Sequence, residues 1–150
     1  MAIDTNVLVG LLDGNDKWHN VTVALRDALY EAEVGLIYFD CVINETVSVL
    51  VRRIYEQKRL EQLCPLLDQL HECVPVSDIT WIGGESKRLY AEIMRLVRSS
   101  SGKLNYHDAL LALICREQGV DALVSFDRDF DELDWLTRIE QASQIATLLT

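Results

Sequence analysis

Met1-Ala2-Ile3-Asp4-Thr5-Asn6-Val7-Leu8-Val9 is the stretch from which the rest of the chain is read. Ala2 and Ile3 form a short apolar run that leads directly into an acid. Thr5 and Asn6 interrupt, and apolar residues resume. The pattern predicts a very short strand that delivers Asp4 at its carboxyl end, then a turn into a helix. In open α/β sheets, ligand chemistry collects just beyond the carboxyl ends of the strands. Asp4 is therefore expected where a metal or a phosphate would be handled.

Working outward, residues 7–12 are apolar and residues 13–16 form a turn cluster. Trp18, Val21, Ala24, Leu25, Ala28 and Leu29 then recur at helical spacing. Residues 35–39 read as a second, buried strand ending at Asp40. A helix follows over about residues 42–55, with Asp40 as its N-cap. Residues 57–71 carry another amphipathic helix, with a kink or break expected at Pro65. Residues 73–76 read as a third strand, where Pro75 suits an edge position. Ser77 or Asp78 then caps a helix carrying Ile82, Leu89, Ile93 and Leu96.

Residues 99–103, Ser-Ser-Ser-Gly-Lys, are the most flexible-looking loop. Asn105 opens a strongly apolar helix that runs through Arg116 and stops at Gly119. Residues 122–126 read as the fourth strand, ending at Asp127, and residues 136–139 as a short fifth. A final helix starts near Gln141. This alternation argues for a three-layer α/β/α sandwich around a parallel sheet of four to five strands.

The 150 residues, with 49% hydrophobic and 25% charged, suit one globular domain with a real core. No apolar run approaches the roughly 20 residues that span a bilayer. The N-terminus lacks a signal-peptide layout, so a cytoplasmic protein without membrane attachment is expected. Cys41, Cys64, Cys73 and Cys115 form no metal-binding spacing and read as buried free thiols. The net charge of −10 argues against simple electrostatic capture of nucleic acid. It leaves room for a nucleic-acid enzyme whose acids are neutralised by divalent cations.

Several acids can reach the same sheet edge. Asp4 ends the first strand and Asp127 ends the fourth. Glu45 and Asp108 lie early in helices that begin where strands or their loops end. Such carboxylates would repel one another unless cations sat between them, and oxygen ligands suit Mg²⁺ or Mn²⁺. Each acid has a plainer reading too. Asp108 follows Asn105 by three, as in a capping box, while Asp127 fits a turn and Asp129 and Asp131 fit solvated or capping positions. His107 beside Asp108 finds no second His-Asp pair and is not read as a ligand. There is no Gly-rich phosphate loop. Trp18, Trp81 and Trp135 read as core or interface residues rather than base-stacking platforms.

Ile3-Asp4-Thr5-Asn6-Val7-Leu8, Asn44-Glu45, Tyr106-His107-Asp108-Ala109 and Ser125-Phe126-Asp127-Arg128-Asp129-Phe130 together resemble the PIN domain. They do so in order and over nearly the whole chain. The size, and the lack of further domains, resemble VapC-type toxins. The resemblance implies a sheet ordered 3-2-1-4-5 and a Mg²⁺- or Mn²⁺-dependent ribonuclease. Asp4, Glu45, Asp108 and Asp127 would be its acidic quartet, supported by Asn6 and Ser125, with Asp129 as an extra acid.

The resemblance also implies an RNA substrate, a homodimer and a cognate antitoxin that places a basic side chain in the acidic pocket. The first strand has fewer apolar residues before Asp4 than relatives usually carry, as a missing or misassigned start would produce. Arg52, Arg53 and Lys103 are candidate phosphate contacts, and the serine-rich loop before Asp108 is a candidate wall of an RNA groove. The rival readings are a haloacid-dehalogenase-like phosphatase, whose pattern wants an acid where Asn6 stands, and a non-catalytic PIN-like binding module.

Overall fold

The computed structural model of the chain describes residues 1–148. Along them, five strands alternate with eight α-helices. The strands are β1 (Ala2–Ile3), β2 (Tyr38–Phe39), β3 (Ile79–Thr80), β4 (Ala122–Val124) and β5 (Thr137–Ile139). Every pairing is parallel. One ladder runs β1-β4-β5 and another pairs β2 with β3. A single bridge between Ala2 and Ile37 joins them. There the Ile3 amide donates to the Ile37 carbonyl at 3.1 Å, and the Ile37 amide donates to Met1 at 2.9 Å. Read across that bridge, the order is 3-2-1-4-5. Two residues suffice for β1 because it lies at the centre: Ala2 and Ile3 are both buried, as parallel strands covered on both faces must be.

The helices form two packed groups. In one, α1 (Thr5–Leu12) packs on α2 (His19–Glu31), α3 (Asp40–Glu56) and α4 (Leu63–Cys73). In the other, α6 (Tyr90–Ser99) packs on α7 (Tyr106–Glu117) and on the short α5 (Glu85–Arg88). The closing helix α8 (Ala142–Leu148) lies against α2. Asp108 and the seven residues after it on α7 are all buried, which is why that helix reads apolar all round. Gly10 sets the approach of α1 to α2: a Cβ there would come 2.9 Å from Thr22 Cγ2. No helix among the described residues is long and apolar enough to cross a membrane.

Several boundaries depart from the expectations. The third strand is at Ile79–Thr80, not residues 73–76. The Pro75 carbonyl accepts from the Asp78 amide at 2.8 Å, closing a tight turn over Val76–Asp78 before the chain can pair. Helix α3 starts two residues early, at Asp40, with Phe39 as the cap. The Asp40 carboxylate instead accepts from the Ile82 amide at 3.1 Å.

The expected helix over residues 57–71 is interrupted upstream of Pro65. Lys58 takes a left-handed conformation, φ 55°, and ends α3. Pro65 then falls in the first turn of α4, where its missing N–H has no intrahelical partner to lose. The loop over residues 99–103 is a hydrogen-bonded turn: buried Ser100 accepts from Leu104 and donates to Val97. The thiols are free, but only Cys115 is buried; Cys64 and Cys73 are exposed.

A buried ion pair ties the α1–α2 loop to the end of α3. Arg59 donates to both Asp13 oxygens, at 3.1 and 2.9 Å, and the two side chains are 14% and 3% exposed. Burial would raise the Asp13 carboxyl, but the Arg59 hydrogen bonds and the Asn15 amide outweigh it and hold the pKa below the ordinary value. A depressed carboxylate contributes stability above its unfolded pKa and loses it as pH falls through the folded one. Arg59→Leu should therefore lower unfolding free energy by about 3 kcal/mol at pH 7, because it strands a buried charge. Urea titrations should show that deficit shrinking below about pH 4 as Asp13 protonates.

Candidate active site

Asp4 leaves the central strand already committed. Its main chain pairs with Val124 at 3.0 Å, and its side chain caps α1 by accepting from the Thr5 amide at 2.7 Å. The other carboxylate oxygen accepts from Ser125 Oγ at 2.6 Å and from Asn6 Nδ2 at 2.7 Å. Asn6 also donates to Ser125 Oγ, at 3.1 Å, while its Oδ1 accepts from the Phe126 amide at 3.1 Å. Asp4 is 3% exposed. Burial pushes its pKa up to about 7 against these hydrogen bonds, with Asp108 and Glu45 adding repulsion.

The other three acids arrive from separate elements. Glu45, one turn into α3, accepts from Thr5 Oγ1 at 2.7 Å. His107 Nε2 stands 2.9 Å from Glu45 Oε2. The His107 and Thr5 contacts hold Glu45 below the ordinary carboxylate range. Burial pulls the His107 pKa down, but Glu45, Asp4 and Asp108 outweigh it and raise it above its ordinary value.

Asp108 completes a capping box with Asn105: its carboxylate accepts from the Asn105 amide at 3.0 Å. Burial, with Asp127 and Glu45 nearby, raises its pKa. β4 stops at Val124 rather than residue 126, so Asp127 lies three residues beyond it. Asp127 caps the turn over Arg128–Glu132, accepting from the Asp129 amide at 2.9 Å, while its own amide donates to Ser125 Oγ at 3.0 Å. For Asp108 and Asp127, the capping and turn readings and the site reading hold together.

Asp4, Glu45, Asp108 and Asp127 line one open cavity of about 250 Å³, with Thr5, Asn6, Asn105, Arg52 and Arg53 on its walls. A larger groove, about 680 Å³, lies by the amino end of β2 among Leu29, Tyr30, Val34 and Leu36. It is mainly apolar, and its acids, Glu31 and Glu33, are exposed. The smaller cavity is the one that gathers the acids expected from the sequence.

Not every expected residue is there. Asp129 contributes its amide to Asp127 but does not line the cavity. Lys103 is paired with Glu132 outside it. Arg53 lines it but is bound to Asp16. Arg52 is exposed at its rim and adds to the lowering of Glu45. Ser125 sits behind Asp4, fully buried. Thr5 and His107 were missed; each is the immediate neighbour of an acid at a helix start, which is the signal that finds them.

The cavity's charged donors are carboxylates, two of them raised in pKa by burial and mutual repulsion. That is the chemistry of a site for a hard divalent cation. Among the described residues no three His, Cys, Asp or Glu side chains are already grouped to hold an ion. The carboxylates instead accept from Thr5, Ser125 and Asn105.

The PIN domain family pattern matches residues 1–136 of the chain. The chain belongs to the PIN domain family. Ribonuclease VapC6 of Methanocaldococcus jannaschii is 21% identical to it, over 93% of this chain and 95% of that protein. The crystal structure of Mycobacterium tuberculosis VapC20, described as a sarcin–ricin loop cleaving toxin, superposes with a TM-score of 0.66 at 16% identity. The match covers 90% of this chain and 95% of that one. The likeness confirms the α/β/α layering of this PIN domain.

Ser125→Ala tests how Asp4 is held in this PIN domain. Above pH 7 it removes a hydrogen bond to a charged oxygen, worth about 2 kcal/mol. At pH 5, where Asp4 is protonated, the loss should fall to about 1 kcal/mol. Chemical denaturation of the metal-free protein at pH 5 and pH 8 reads the difference.

Proposed function

We propose that this PIN domain is a metal-dependent endoribonuclease, the toxin of a toxin–antitoxin pair, using Mg²⁺ or Mn²⁺. The observation that carries the reading is the meeting in one cavity of four acids, Glu45 from α3, Asp108 from α7, and Asp4 and Asp127 from just beyond β1 and β4. The similarity to a VapC ribonuclease and to a VapC toxin supports it. Asp4, Asp108 and Asp127 would hold the cation, with Glu45 as the fourth acid of the cavity. A divalent ion bound there supplies Lewis-acid polarisation of a phosphodiester and acidification of a water.

The chain's own groups do the rest. Thr5 and His107 aim Glu45, which orients the attacking water and accepts its proton. Asn6 and Ser125 keep Asp4 fixed while its charge is compensated. Arg52 meets a substrate phosphate at the rim, where its charge is needed because the chain as a whole is at −10. Hydrolysis leaves a 5′-phosphate and a 3′-hydroxyl. Residues 1–150 form a single nuclease domain, acting as a cytoplasmic homodimer. A cognate antitoxin inhibits it by placing a basic side chain among the acids, where the cavity's uncompensated charge gives it a partner. The phosphatase reading loses ground because Asn6 stands where its second acid belongs and is engaged with Asp4, Ser125 and Phe126.

Single-stranded and hairpin RNA should be cut by the wild type in Mg²⁺ or Mn²⁺ and left intact in EDTA. Asp4→Asn, Glu45→Gln, Asp108→Asn and Asp127→Asn should each lower the rate by about 100-fold or more. Equal cleavage by Asp4→Asn and wild type would sink the mechanism. Arg52→Ala should weaken RNA binding and flatten its salt dependence by about one counterion, as read by anisotropy across a salt series.

A further inference from the structure

Near the cavity, though not among the residues that line it, is an aromatic pair that the catalytic reading does not use. Trp18 and Phe126 are stacked nearly parallel, with centroids 4.5 Å apart and planes at 9°. Phe126 lies between Ser125 and Asp127, and its amide is held by Asn6. Trp18 stands in the α1–α2 loop, two residues after Asp16, which is paired with Arg53 on the cavity wall. The stack therefore joins the loop to the segment just beyond β4, between the residue that bonds Asp4 and the cavity acid Asp127.

Both rings keep part of their surface in water. Trp18 lies outside the apolar core cluster against which Phe126 and Trp135 pack. Phe126 takes one face of the indole, and Lys17 Nζ sits 4.9 Å from its centroid, which leaves the second face to that cation. The loop is already tied to α3 by Arg53–Asp16 and Arg59–Asp13, so the stack is not its sole anchor.

We propose that Trp18, backed by Phe126, is the stacking platform for a nucleobase of single-stranded RNA beside the scissile phosphate. This revises the reading of Trp18 as a core or interface residue, and it rests on the nuclease assignment above. A partly exposed indole near the acidic cavity offers what an unpaired base requires: a flat apolar face, tolerant of base identity. The base takes the face that Lys17 covers. The flexible lysine stem swings outward, and its ammonium meets a flanking phosphate. In a chain so acidic, this pairs local attraction with stacking where the backbone must approach carboxylates.

The test uses a short fluorescein-labelled single-stranded oligoribonucleotide and the Glu45→Gln protein in Mg²⁺, so that binding is read without turnover. Trp18→Leu should weaken binding about tenfold, and Trp18→Phe should recover most of it. In a Trp81→Phe, Trp135→Phe background, the fluorescence of Trp18 alone should be quenched by the oligonucleotide. An abasic scan should find one position whose loss costs about tenfold in affinity, and that cost should vanish in Trp18→Leu. A structural defect would weaken all positions alike.

Should Trp18→Leu not fold, the quench and the scan on Trp18-containing protein still decide. No quench, together with no position-specific cost, overturns the proposal. Quenching and an abasic cost in a protein whose wild type cuts no RNA would uphold the platform while removing the nuclease reading. Cleavage with an indifferent Trp18 would do the reverse.

Discussion

A carboxylate is held in the middle of this protein by three hydrogen-bond donors, and its surroundings are arranged around that fact. Asp4 ends the central strand, caps the first helix and receives Asn6 and Ser125 on its second oxygen. Burying such a group costs several kcal/mol unless it is hydrogen-bonded or neutralised. Here the bonds are made, yet its pKa still rises to about 7. Protonation or a nearby cation would relieve the residual cost, and Asp108 and Glu45 add to it.

The same bonds explain the architecture near the site. Asn6 binds Asp4, Ser125 and the Phe126 amide together, so the start of α1 and the end of β4 cannot shift independently. Ser125 also receives the Asp127 amide, which sets the turn that brings Asp127 to the cavity. The supporting residues are therefore as consequential as the acids they orient. A rigid frame of this kind holds charges close despite their repulsion, as a preorganised electrostatic site requires. The rim is looser: Arg53 is paired with Asp16, while Arg52 is exposed.

Secondary roles and site roles coincide at these positions. Asp108 is a capping-box residue and a cavity wall. Asp127 is a turn residue and a cavity wall. Helix starts and strand ends share one sheet edge, so residues chosen to satisfy exposed backbone amides also face the crevice. Competition between a plain and a functional reading of such an acid is accordingly a false choice in this fold.

The one-dimensional pattern showed strands alternating with helices along the chain, because short apolar runs alternate with amphipathic segments; the sheet order came from the motifs' resemblance to the PIN domain. The pattern placed Asp4, Glu45, Asp108 and Asp127 near strand ends and helix starts, and the resemblance singled them out as a set. The same pattern placed the third strand too early and the break of the fourth helix at Pro65. Those boundaries were set by a Pro75–Asp78 turn and a left-handed Lys58, neither of which has a periodic signature.

Only the tertiary structure decided which neighbours each group would have. It joined His107 to Glu45, removed Lys103 and Asp129 from the cavity lining, engaged Arg53 with Asp16, and stacked Trp18 on Phe126. Those partners lie from 29 residues apart, for Lys103–Glu132, to 108, for Trp18–Phe126. Local sequence encodes backbone conformation and burial. Which charge meets which is settled by packing, after distant segments have come together.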